Sequence, residues 1–316
     1  MKAGMKTPKT LMAAIVMFAD PKVCFEFAVA LRWGDDVRCP FCGSDSHSFM
    51  LTRQTWQCKN KECKKQFSVK KGTIFEDSPI KLDKWFAAMW LIANAKNGIS
   101  SCELARSLGV TQKTAWFMNH RIREAMSNGS IEKLSGEVEA DETFIGGSIK
   151  NMHYDKRPDT TVYSGWHDKT IVMGVVQRGG KGHFEVIRRR RGTEMKPIVE
   201  KYVEKGSTMY TDNHGGYHGL YKNYQHGVVD HSVAYVFGSI HTNTCEAFWS
   251  LLKRSMKGTY VSVEPIHLHR YLHEYGFRYN TRDTNDENRF LKVLSQIAGR
   301  RLTYAQLIGR EYSATA

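Results

Sequence analysis

Four cysteines in two close pairs constrain this chain more than any other feature. Cys39-Pro-Phe-Cys42 and Cys58-Lys-Asn-Lys-Glu-Cys63 are separated by fifteen residues. Each pair fits on a tight turn that sets two thiolates on one side, and two such turns brought together make a tetrahedral four-sulfur site suited to zinc. Four protein ligands leave no open position, so the metal there is structural. Four chance cysteines or a redox pair are the bland alternatives, and they account less well for the spacing. The intervening Ser48–Gln57 can form a hairpin, as in a zinc ribbon. Lys59, Lys61, Lys64 and Lys65 favour ionised thiolates and offer charge to a polyanion. Cys24, Cys102 and Cys245 stand apart, which is no disulfide framework and fits a reducing cytoplasm.

Charge points the same way. The 316 residues carry 46 Lys+Arg against 32 Asp+Glu, a formal +14. Residues 1–135 hold 21 basic and 12 acidic side chains, and residues 136–316 hold 25 and 20. Phosphates of double-stranded DNA are the simplest partner for such an excess, and the N-terminal part is the better candidate for first contact. The apolar run Leu11–Ala19 follows several lysines but lacks a signal-peptide cleavage site, and reads as an amphipathic helix. No run approaches the roughly 18 apolar residues that span a bilayer, so no membrane role is expected.

The pattern divides the chain into an N-terminal helical segment (1–36), a zinc ribbon (37–72), a helical region (80–127), a mixed-sheet domain (136–290) and a C-terminal tail (291–316). Within 80–127, Leu104, Ala105 and Leu108 stripe one helix, Gly109 supplies a turn, and Thr111 caps a second helix. That is a helix-turn-helix pattern. Ala115, Trp116, Met118 and Ile122 are expected inward, leaving Gln112, Lys113, Asn119 and Arg123 to meet DNA. An ordinary helical hairpin is the alternative. Residues 128–135 read as a linker. Strands are expected at Glu137–Ile145, Thr170–Gln177, His183–Arg190 and Ser207–Thr211, with another at Ser232–Phe237; helices are expected at Glu194–Lys205 and Thr244–Met256. Such alternation predicts an α+β or α/β multidomain chain whose second part is a ribonuclease H-like mixed sheet.

Asp141 interrupts an otherwise apolar strand, where a carboxylate is costly unless it is paired or binds a metal. Asp212 ends another strand, ahead of Asn213-His214-Gly215-Gly216. Adjacent strand ends can bring both onto one divalent ion. On the helix that follows, Glu246, Trp249, Ser250 and Lys253 share a face. Glu246 can complete a metal site while Lys253 contacts a phosphate. Oxygen ligands favour Mg²⁺ or Mn²⁺ over zinc, and three such acids suit two-metal phosphoryl transfer. Each acid taken alone is an ordinary solvated carboxylate.

Several motifs together give the chain a resemblance to the ISXO-like family of bacterial insertion-sequence transposases, a DDE-type group. They are Arg32-Trp33 with Cys39-Pro-Phe-Cys42-Gly43, Glu139-Ala-Asp141-Glu142-Thr143, Thr211-Asp212-Asn213, His241-Thr-Asn-Thr-Cys-Glu246-Ala-Phe-Trp249, and Phe277-Arg-Tyr-Asn280. The resemblance implies a ribonuclease H-like core, Mg²⁺, binding to terminal inverted repeats and cut-and-join chemistry. It implies a bacterial, nucleoid-associated protein that forms a homo-oligomer on two DNA ends. By position it makes Asp141 and Asp212 the first two catalytic acids and Lys253 the downstream basic residue. In some members an Asn stands where others have the third acid. Asn243 and Glu246 lie three apart on one helical face, and either can reach the metal; Glu246 is preferred because a carboxylate holds Mg²⁺ more strongly than an amide. A silent DNA-binding regulator and a nuclease that cuts without joining are the competing functions.

Four further features carry less weight. Arg188–Arg191 is nearly as well explained as a solvated edge as by DNA contact. His267, His269 and His273 lack a carboxylate or thiol at ligand spacing. Glu274 and Arg278 make an i,i+4 pair. Trp166 and His167 lie in a polar insertion, 148–169, which reads equally as a mobile DNA-facing loop or as a disordered one.

Overall fold

The computed structural model describes residues 6–127, 132–147, 153, 169–229 and 240–310. They fall into two compact units, Met1–Ser127 with Asp283–Ala316, and Asn128–Arg282. Among the described residues no helix is long and apolar enough to cross a membrane.

The first unit begins with α1 (Leu11–Phe18), whose N-cap Thr10 accepts from the Ala13 amide, and α2 (Pro21–Trp33), capped by Asp20 with proline in its first turn. The ribbon follows as an antiparallel sheet of β1 (His47–Met50), β2 (Thr55–Cys58) and β3 (Gln66–Ser68). The expected hairpin is therefore β1–β2, pairing Met50 with Thr55 around a 3-10 turn at Leu51–Arg53. Trp56 stacks on Phe25 and Phe67, tying ribbon to α2. Next come α3 (Leu82–Asn94), α4 (Ser101–Leu108) and α5 (Gln112–Ala125). Gly109 ends α4 at φ +60°, a left-handed position that suits glycine, and Thr111 caps α5 by accepting from the Thr114 amide.

Two residues expected at a DNA surface are instead buried. Asn119 and Arg123 are 2% and 1% exposed, whereas Gln112 and Lys113 on the first turn of α5 are exposed. A single apolar stripe predicts one covered face. Here α5 meets α4, α3 and a helix from the far end of the chain, so its last turns are enclosed. Asn119 Nδ2 donates to the Ile99 carbonyl (3.4 Å), and Arg121, also buried, donates to the carbonyls of Ile74 (2.9 Å) and Glu76 (2.6 Å).

The second unit is a five-stranded mixed sheet: β4 (Glu137–Ile145), β5 (Thr170–Gln177), β6 (Gly182–Ile187), β7 (Thr208–Asp212) and β8 (Gln225–Val229), in the order β6-β5-β4-β7-β8. The first three strands form an antiparallel meander, and β7 and β8 are parallel to β4. Between β6 and β7 lies α6 (Gly192–Tyr202); after β8 come α7 (Asn243–Ser255) and α8 (Leu268–Asn280). Strand alternation sorts the core into two layers. Val138, Ala140, Met173 and Val175 pack with Met195 and Val199 of α6, while Ile145 and Val172 pack with Phe248 and Leu252 of α7 and Leu272 of α8. Two boundaries differ from expectation. β6 ends at Ile187, leaving Arg188–Arg191 as a turn, and a strand forms at Gln225–Val229; the expected strand at 232–237 lies outside the described residues, as does most of the 148–169 insertion.

The chain then returns to the first unit, so the 136–290 domain ends early and residues 291–310 are no loose tail. In α9 (Asp286–Leu294), Phe290 is fully buried against Trp90 of α3 and Phe18 of α1. Beyond it, the Ile74 amide donates to the Ile297 carbonyl, and Arg300 donates to the Glu124 and Ser127 carbonyls (2.5 and 2.7 Å) ahead of α10 (Tyr304–Leu307). The polar stretch Asp283–Asn288 hides this docking from a local reading.

Candidate active site and zinc centre

The four cysteines converge. Their sulfur atoms all lie within 4.8 Å of one another, with Cys39–Cys63 at 3.8 Å and Cys42–Cys58 at 3.6 Å. A tetrahedron with Zn–S bonds of ~2.3 Å has edges of ~3.8 Å, so the residues fit zinc. Backbone turns set the geometry: the Gly43 amide donates to the Cys39 carbonyl (2.8 Å) and the Lys64 amide to the Asn60 carbonyl (3.0 Å). The ammonium groups of Lys65 and Lys71 sit over the Phe41 ring at 4.9 and 5.5 Å.

The two aspartates meet through strand register. β4 and β7 pair Glu139 with Tyr210, so Asp141 and Asp212, each two residues on, stand side by side on one face of neighbouring parallel strands. Alternation puts that face toward α7. Asp141 Oδ2 accepts from the Trp249 indole at 2.8 Å. Burial, and then the charge of Glu142, push the Asp141 carboxyl up to about 7, with Asp212 adding to the rise. Crowded, half-dry carboxylates of this kind fit a divalent cation, whose charge offsets the repulsion between them. Arg190 bridges Asp212 Oδ2 (3.3 Å) and Glu142, and Glu142 also accepts from the Tyr217 hydroxyl (2.6 Å). Burial and the Glu142 charge raise the Tyr217 hydroxyl well above its ordinary value, so it stays a donor.

α7 is fixed at two points. Its N-cap, Thr242, makes no side-chain cap. Glu139, fully buried on β4, serves instead: its carboxylate accepts from the Thr244 amide (2.7 Å), the Cys245 amide (3.2 Å) and the Thr244 hydroxyl (2.9 Å). Arg178 pairs with the same carboxylate at 2.7 Å. Further along, the Trp249 ring lies against Gly174 of β5, where a Cβ would come within 2.8 Å of it. Only a glycine lets the helix approach so closely.

Asn243, Glu246 and Lys253 are all exposed along α7, and Trp249 is buried. The three acids Asp141, Asp212 and Glu246 do not reach the mutual spacing of the cysteines, which form the one such group of metal-ligating side chains among the described residues. Lys253 lines a cleft of about 1130 Å³ with Arg188–Arg191 and Glu142. Glu139, Arg178 and Arg190 were not singled out as site residues from sequence. Glu139 was visible only as part of the Glu139-Ala-Asp141 motif, and Arg190 only as one of four arginines.

Comparison with known proteins agrees with this architecture. Residues 133–280 match the family described as the ISXO2-like transposase domain, and residues 20–66 match the transposase zinc-ribbon domain. A curated protein of Halobacterium salinarum, "Uncharacterized protein in transposable element ISH50", is 28% identical over 257 residues, covering 77% of this chain and 85% of that protein. Residues 20–66 and 133–280 thus match the zinc ribbon and the catalytic-type domain of ISXO2-like transposases.

Proposed function

We propose that this protein binds the terminal inverted repeats of an insertion sequence and cuts and rejoins DNA strands at the Asp141–Asp212 site. The observation that carries the reading is the register of β4 and β7, which sets the two carboxylates side by side at one end of the sheet beneath α7. Asp141, Asp212 and Glu246 would hold the catalytic Mg²⁺ or Mn²⁺, with Asn243 the alternative third ligand. Such ions, when bound, activate the attacking oxygen and stabilise the leaving one. Trp249 holds Asp141 in one orientation, and Arg190 does the same for Asp212 while keeping Glu142 occupied. Lys253, exposed and lining the same cleft as Glu142, would take a phosphate oxygen. Gln112 and Lys113, on the free end of α5, and the lysines of the zinc ribbon supply duplex contacts. Two ends held together require a homo-oligomer, acting at the bacterial nucleoid in the cytoplasm.

The test is strand transfer by purified protein, with Mg²⁺, on labelled DNA carrying the element's own end. Wild type should join ends and Asp141→Ala should not, and Glu246→Gln should be far worse than Asn243→Ala. Tight end binding with no cutting under any divalent metal would replace the enzyme with a DNA-binding regulator.

A further inference from the structure

We infer that the outer face of α1 is where two copies of this protein pair. The inference rests on the transposase reading only for the use of such a pair; the face itself belongs neither to the acids nor to the duplex contacts. α1 buries Ala14 and Phe18 in the first unit, with Phe18 packed on Phe27, Phe86 and Phe290. Its other side is apolar and open. Met12 and Val16 are 66% and 70% exposed, Leu11 and Ile15 flank them, and Ala13 and Ala19 are exposed too. One helical turn apart, Met12 and Val16 form a ridge on the side opposite the buried pair. No residue from Leu11 to Ala19 is polar or charged. A contiguous apolar face of this kind marks an interaction site.

The occupant follows from what the face lacks and from what stands at its ends. Without charge along its length it offers nothing to phosphates, so DNA does not cover it. The chain carries +14, and copies that repel one another come closest across a neutral surface. Exposed Lys9 stands two residues before the helix, and exposed Asp20 two residues after it. When two α1 helices pack antiparallel about a twofold axis, each Lys9 therefore comes opposite the partner's Asp20, and the helix dipoles run in opposite directions. Parallel packing would set Lys9 against Lys9. The Met12–Val16 ridge of each copy settles over the small Ala13 of the other, ridge into groove. Beside α1 the surface continues as an apolar groove of about 440 Å³ lined by Met17, Val23 and Val29, which widens the contact. The face is still small beside the ~800 Å² per partner of a standard interface, so the pair is a weak one, forming at roughly 10–100 µM.

Sedimentation velocity on the zinc-loaded full chain, free of DNA, tests this from roughly 1 to 200 µM. Wild type should pass from monomer to dimer across that range. Met12→Gln/Val16→Gln, which keeps the net charge and good helix formers, should weaken pairing at least about tenfold with the melting temperature unchanged. Lys9→Glu should weaken it roughly fivefold. Lys9→Glu/Asp20→Asn should recover most of that loss, because asparagine removes the new repulsion yet still caps α2. A wild type that stays monomeric throughout, or a dimer indifferent to all three variants, would overturn the pairing. So would a monomer that sediments with phosphatidylcholine vesicles, which would assign the face to a lipid surface. Strand transfer by the same preparations separates the two readings. A wild-type dimer that never cuts DNA would sink the transposase and leave the α1 pair standing, and a monomer that joins ends would do the reverse.

Discussion

The contact between Gly174 and Trp249 gives the sharpest quantitative prediction. In Gly174→Ala the new Cβ lands 2.8 Å from two ring carbons of Trp249 and 3.1 Å from Phe184. Trp249 cannot retreat freely, because its indole donates to Asp141 and α7 is clamped at its start by Glu139. Overpacking of this kind costs ~1–3 kcal/mol, and alanine in a strand recovers roughly 0.5–1 kcal/mol of chain entropy. The net loss then centres on about 1 kcal/mol and reaches at most ~2.5 kcal/mol, with ~2–4 °C of melting temperature per kcal/mol in a unit this size. Trp249→Phe alone removes the indole donor to a charged group and leaves space, at about 1.5–3 kcal/mol. In the double variant the smaller ring makes room for the alanine, so the combined loss should fall short of the sum by ~1 kcal/mol or more. Calorimetry on the zinc-loaded full chain, resolving the second unit's transition, measures all three. A Gly174→Ala protein as stable as wild type, or strictly additive effects, would show that α7 does not sit on β5 as described.

Two further outcomes follow from the placement of buried charge. Glu139→Gln should cost up to ~3 kcal/mol, because Arg178, only 17% exposed, loses its 2.7 Å carboxylate partner and keeps the longer contact to Glu137 (3.5 Å), and the acceptor at the start of α7 loses its charge; thermal unfolding should show this together with loss of strand transfer. On α5, Arg123→Ala should lower the melting temperature of the first unit, whereas Lys113→Gln should leave it unchanged and weaken duplex binding with a smaller salt slope. The reverse pattern would restore Arg123 to a DNA surface.

The parts legible in sequence were those whose chemistry is local. The cysteine pairs carry their ligand geometry in their own turns. Asp141 is conspicuous because its neighbours in the strand are apolar, and Gly109 with Thr111 marks the break between two helices. What escaped depends on distance along the chain. Glu139 caps a helix that begins more than a hundred residues later, so nothing around it announces the role. Arg190 is chemically identical to its three neighbours, and only the fold turns it toward Asp212. Asn119 and Arg123 look like surface residues until the last helices close over α5. The edge strand Gln225–Val229, with two polar residues and a glycine in five, has little strand character of its own.

The return of α9 to α3 has a consequence for synthesis. The second unit is an insertion between two pieces of the first, and 155 residues separate Ser127 from Asp283. At translation rates of about 5–20 residues per second, the ribosome needs roughly 10–30 s to bridge that gap. Throughout that interval Trp90 and Phe18 lack the cover of Phe290, and Ile74 lacks the carbonyl of Ile297. A product cut short inside the second unit keeps every cysteine of the ribbon and both helices around Gly109, yet exposes the apolar flank of α3. The nascent chain therefore completes its first unit only after its second has left the ribosome.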